Sequence, residues 1–125
     1  MKQTALIVDD ETTIRNVMAV VFQRMEFDVH KAGNGKEALE ILKKTPISII
    51  YLDLAMPEMG GVELMRAMVK DEKLKVIPII IDTAQGASSL PSISKEFDGK
   101  LRIKAFNRPT PIELVEEAVK ELIGK

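Results

Sequence analysis

Four polar residues stand where the chain is otherwise most apolar. Asp9 and Asp10 follow the run Thr4-Ala5-Leu6-Ile7-Val8, Asp53 follows Ile49-Ile50-Tyr51-Leu52, and Thr83 comes shortly after Ile79-Ile80-Ile81. A continuously apolar run suits a strand buried on both faces of a sheet, and a carboxylate at its end is costly unless a cation or hydrogen-bond donors receive it. Three carboxylates gathered in one crevice repel one another, and a hard divalent ion removes that repulsion. Mg²⁺ takes oxygen ligands, keeps several waters, and is held by one or two carboxylates plus phosphate oxygens. Asp53, so neutralised, can serve as a carboxylate nucleophile toward an activated phosphoryl group. A hydroxyl from Thr83 and a basic side chain would share the charge spread over the phosphoryl oxygens.

The elements that would position these residues alternate along the chain. Thr4–Val8 reads as a buried strand. Ile14, Val17, Met18, Val21, Phe22 and Met25 then recur at helical spacing. A weaker strand over Val29–Ala32 leads into the turn Gly33-Asn34-Gly35 and a helix marked by Ala38, Leu39 and Leu42. The Asp53 strand breaks at Pro57 and Gly60-Gly61, where a third helix opens with Val62, Met65, Met68 and Val69 on one side. Val76–Ile81 is the expected fourth strand, with Pro78 near its start. Ser88-Ser89 is a candidate cap for a short helix with Pro91 in its first turn, and Leu101–Phe106 reads as a fifth strand. Thr110 is the expected cap of the last helix, with Pro111 at its first position and Leu114, Val115, Ala118, Val119 and Leu122 facing inward.

Five strands alternating with five helices predict a three-layer α/β fold, a (βα)5 doubly wound parallel sheet with right-handed crossovers. Ligands of such sheets sit beyond the carboxyl ends of the strands, where strand order reverses. In the flavodoxin-like order 2-1-3-4-5, Asp9-Asp10 and Asp53 flank that crevice and Thr83 comes next to them.

Composition narrows the function classes. The 125 residues, expected to form one domain, are 46% hydrophobic with a formal net charge of -1, which argues against a basic nucleic-acid-binding surface. No apolar run approaches the ~20 residues that span a bilayer, and no signal peptide is read at the N-terminus. There is no cysteine and one histidine, so thiolate chemistry, disulfides and multi-His metal sites drop out, and a reducing cytosol fits. His30 lies on the weak second strand, remote from the crevice, and reads as a surface residue. The seven methionines fall mostly at helix-core spacing.

The segments Leu6-Ile7-Val8-Asp9-Asp10, Asn34-Gly35-Lys36-Glu37-Ala38-Leu39, Asp53-Leu54-Ala55-Met56-Pro57-Glu58-Met59-Gly60-Gly61 and Thr83-Ala84 together carry a resemblance. Over its whole length, residues 1–125, the chain resembles a response-regulator receiver domain of the CheY type. The resemblance implies phosphorylation of Asp53 by a histidine kinase or phosphotransfer protein. It implies Mg²⁺ bound by Asp10, Asp53 and the Ala55 carbonyl, with Asp9 acting through water, and Thr83 contacting the phosphoryl group. It further implies a cytoplasmic, monomeric signalling switch rather than a turnover enzyme, without nucleic-acid or membrane binding of its own. A downstream protein would dock on the face of the fourth strand, fifth strand and last helix.

Departures from the family pattern cluster near the fifth strand. The family's Lys-Pro is replaced within Lys104-Ala105-Phe106-Asn107-Arg108-Pro109-Thr110-Pro111. Arg108-Pro109 is the favoured counterpart and Lys104 its rival, and Arg for Lys is not a conservative exchange. The family's aromatic switch position falls on Ala105 in the first register and Leu101 in the second. Asp82, where the family has an apolar or small residue, is aimed away from Thr83 by strand alternation and is expected at a solvated strand end. The alternative reading is a degenerate receiver, kept as a phosphorylation-independent docking module. An aspartyl phosphohydrolase would need a second acid two residues after Asp53, where Ala55 stands, and a flavin module would need donors where the first loop is acidic.

Overall fold

In the computed structural model, residues 2–54, 56, 59–84 and 86–124 are described. Strands and helices alternate as β1 (Thr4–Val8), α1 (Thr12–Arg24), β2 (Asp28–Ala32), α2 (Gly35–Lys44), β3 (Ile49–Leu52), α3 (Gly61–Val69), β4 (Ile79–Thr83), α4 (Gly86–Phe97), β5 (Ile103–Asn107) and α5 (Ile112–Ile123). The sheet has the expected order β2-β1-β3-β4-β5, and every pairing is parallel.

Period-two alternation sends each central strand's side chains into two separate layers. Leu6, Val8, Ile50, Leu52, Ile79 and Ile81 meet Leu42 of α2, Leu64, Met65 and Met68 of α3, and Ile93 and Phe97 of α4. Ala5, Ile7, Ile49, Tyr51 and Ile80 meet Met18, Val21 and Phe22 of α1 and Val115, Ala118 and Val119 of α5. Burial of each large apolar side chain contributes about 1.5–3 kcal/mol, so these layers hold the strand ends in register.

Local chemistry sets the element boundaries. Asn34 caps α2 by accepting from the Glu37 amide at 2.9 Å, and the Glu37 carboxylate accepts from the Gly33 amide at 2.7 Å, a reciprocal cap. β4 starts at Ile79 rather than Val76. Ile77 N bonds back to Leu74 O at 3.1 Å in a turn, Pro78 has no N–H to give, and Val76 is exposed. β5 starts at Ile103 because Lys100 and Leu101 both donate to the Phe97 carbonyl in the turn that ends α4. The helix expected to start near Ser88 starts at Gly86, leaving Pro91 in its interior rather than its first turn. Two residues assigned to inner helix faces, Val17 and Leu114, are exposed.

Candidate functional site

Pairing continues one residue past two strands and fixes the backbone of the acids that follow. Asp9 N donates to Ala32 O at 3.1 Å, and Asp53 N donates to Val8 O at 3.0 Å. Alternation then places Asp9 after Ile7, Asp53 after Tyr51 and Asp82 after Ile80, all toward the α1–α5 layer. Asp9 and Asp53 are buried, Asp10 is exposed, and carboxylate oxygens of the three lie within 4.8 Å of one another. Asp9 Oδ1 accepts from Glu11 N at 3.0 Å, and its carbonyl accepts from Arg15 Nη1 at 2.9 Å. Gly61 closes the approach from the other side. A Cβ there would stand 2.9 Å from the Asp53 carbonyl oxygen, so the start of α3 meets the end of β3 only with glycine.

Arg108 is the cation of this cluster. Its Nη2 reaches Asp9 Oδ2 at 2.5 Å, Nη1 lies 3.8 Å from Asp53 Oδ2, and Nε lies 3.7 Å from Asp82 Oδ2. The Arg108 amide donates to the Thr83 carbonyl at 2.9 Å, and the Arg108–Pro109 peptide is cis. Burial is the largest single influence and disfavours the guanidinium charge, but the hydrogen bonds and charge attraction of Asp9 and Tyr51 together outweigh it and hold the group cationic above its already high range. Lys104, the rival, is not brought to the cluster. It sits opposite Ile80, partway along the edge strand β5, and pairs with Glu121 of α5 at 2.9 Å. Thr83 is fully buried and pairs with Asn107. The Ala55 carbonyl lies outside the described residues.

Asp82 corrects the expectation of a solvated strand end. It is 5% exposed and accepts from the Tyr51 hydroxyl and from Thr110 Oγ1, the latter at 2.8 Å. Thr110 therefore serves Asp82 instead of capping α5, whose N-cap is Pro111, without a side-chain bond. Burial and the adjacent Asp82 carboxylate push the Tyr51 phenol well above its usual range. These partners were readable in principle. Tyr51 pairs with Ile80, so the next step of each strand sets Asp53 beside Asp82 on one face. Ala105 joins the α2–α3–α4 layer and Phe106 the α1–α5 layer, while His30 is exposed on β2.

An oxygen-only donor set this compact, with a guanidinium already resting on Asp9, fits a hard divalent cation. The response regulator receiver domain family matches residues 5–99. The chain belongs to that family. Receiver domains are modules of two-component signalling that work with histidine kinases and downstream effectors. The transcriptional regulatory protein SrrA of Staphylococcus aureus is 34% identical over 131 residues, covering 94% of this chain and 53% of that protein. This receiver chain thus spans about half the length of the curated relatives it matches. Among solved structures, TrrA of Thermotoga maritima, in complex with Mg(2+)-BeF, is 27% identical with a TM-score of 0.82, covering 98% of this chain and 100% of that one. Vibrio cholerae chemotaxis protein CheY4 superposes with a TM-score of 0.86 at 24% identity over 98% of this chain and 100% of that one, a likeness of fold. No helix among the described residues is long and apolar enough to cross a membrane.

Proposed function

We propose that this receiver accepts a phosphoryl group on Asp53 from the phosphohistidine of a histidine kinase or phosphotransfer partner. The observation that carries this reading is the convergence of the Asp9, Asp10 and Asp53 carboxylates within 4.8 Å, faced by Arg108. Asp9, Asp10 and Asp53 would hold Mg²⁺, with the Ala55 carbonyl added by resemblance; when bound, the ion neutralises the acids and the phosphoryl oxygens. An Asp53 carboxylate oxygen attacks phosphorus, the P–N bond breaks, and the electron pair stays on the imidazole nitrogen. Arg108 and the Thr83 hydroxyl share the charge on the transferred oxygens. Attack of water on phosphorus later releases inorganic phosphate and restores the carboxylate.

The transferred group adds negative charge at the junction of β3, β4 and β5, and that favours a different arrangement of the loops beside Thr83. Output by docking of a downstream protein on the β4–β5–α5 face follows from the family resemblance. The test is intact mass after incubation with a small-molecule phosphodonor, with and without Mg²⁺, beside Asp53→Asn. A Mg²⁺-dependent phosphate adduct absent from the variant supports the switch. No adduct, with Mg²⁺ binding intact, overturns it in favour of a docking module.

A further inference from the structure

Resting on the metal and phosphoacceptor reading above, we propose that Asp82 is a positioning residue for Arg108. It offers the guanidinium a second buried anion, so that Arg108 can leave Asp9 when a divalent cation takes that carboxylate. Three observations meet here. The guanidinium rests on Asp9 at 2.5 Å, in the place where a cation would bind. Its Nε is already 3.7 Å from Asp82 Oδ2, so a small rotation exchanges one carboxylate for the other. Asp82 itself is immobilised by the Tyr51 and Thr110 hydroxyls, which makes it a fixed counter-charge rather than a mobile one.

A half-buried guanidinium that loses its closest carboxylate is left poorly compensated. Without Asp82, displacing Arg108 from Asp9 would leave it facing the Asp53 carboxylate, 3.8 Å away and itself drawn to the cation; with Asp82, the exchange gives it a second buried carboxylate while it stays beside Asp53. Because Thr110 immediately precedes Pro111 at the N-cap of α5, the same exchange is felt at the start of α5. Asp82 thus connects occupancy of the acidic crevice to the helix that follows β5.

The experiment is a double-mutant cycle on Mg²⁺ affinity, measured by calorimetry on the whole chain, with Asp82→Asn, Arg108→Ala and the double variant. Asp82→Asn keeps shape and an acceptor for Tyr51 while removing the charge. We expect it to weaken Mg²⁺ binding roughly five- to ten-fold, and Arg108→Ala to strengthen it by removing the competitor. In the Arg108→Ala background the effect of Asp82→Asn should shrink to less than about two-fold. Tyr51 is the only tyrosine and there is no tryptophan, so its absorbance reports on Asp82 directly. Mg²⁺ should perturb it in the wild type and not in Arg108→Ala. If Asp82→Asn does not fold, Thr110→Val, which loosens Asp82 without discharging it, takes its place with a smaller effect of the same sign. Additive effects, or a Tyr51 signal blind to bound Mg²⁺, overturn the inference alone; a wild type that binds no Mg²⁺ overturns the metal reading beneath it.

Discussion

On the α2–α3–α4 side of the sheet, Leu6, Val8, Ile50, Leu52, Ile79 and Ile81 pack into one apolar cluster with Leu64, Met65 and Met68. On the α1–α5 side the same alternation begins with Ile7, Tyr51 and Ile80 and ends one step later in Asp9, Asp53 and Asp82. The first layer contributes stability by burying area. The second gives up some of that area to bring three carboxylates around one arginine. The polar cluster is thus a local exception on one face, supported by an apolar core on the other.

The largest effect should come from breaking the apolar side. Leu64 is fully buried, and Leu64→Ala should cost about 2–5 kcal/mol of unfolding free energy by denaturant titration, with Mg²⁺ affinity of the folded protein unchanged. A loss of metal binding in that folded variant would show that the two layers are not separable.

A pH titration sharpens the polar side. Burial and Asp82 raise the Tyr51 phenol above its ordinary 10.0 in the folded state, so the neutral form is the one that folding favours. The associated stability is present in full below pH 10.0 and is lost as pH rises through the folded value. Tyrosinate absorbance should therefore stay absent at pH 10.0 and appear together with loss of helical circular dichroism. Tyrosinate at that pH with the helices intact would contradict the buried Tyr51–Asp82 pair.

The smallest effect belongs to charges outside both layers. Arg66 of α3 and Glu96 of α4 form a bidentate pair at 2.6 and 2.9 Å, each shifting the other toward its charged form, yet both side chains are exposed. Arg66→Gln should leave the denaturation midpoint unchanged within error at physiological salt, because solvent and ions screen such pairs. The same exchange of charge at Arg108 should be readily measurable, since that guanidinium faces buried acids.

The alternation of strands and helices and the acids ending the apolar runs at Asp9 and Asp53 were legible in local pattern, while the strand order came with the flavodoxin-like arrangement that such an alternation suits. Helix starts were less so. Pro91 is compatible with a first turn and with a helix interior, and Thr110 has the chemistry of a cap but finds a stronger acceptor in Asp82. That acceptor is a tertiary partner 28 residues away, invisible to local capping rules. Alternation alone could not choose between Lys104 and Arg108, which share a parity on one strand. Position along the strand decides, since Lys104 stops at Ile80 while Arg108 reaches beyond Thr83. The direction of Asp82 away from Thr83 does not carry it to solvent, because the same alternation turns it toward the face that holds Asp53.

The most direct measurement is the site of the phosphoryl group. After treatment with a phosphodonor and Mg²⁺, reduction of an acyl phosphate with borohydride converts the modified aspartate to homoserine, which peptide mass spectrometry locates. Homoserine at position 53, and at none of positions 9, 10 or 82, is the expected result. Reduction at one of those other positions, or at no aspartate while Mg²⁺ is bound, would contradict Asp53 as the phosphoacceptor.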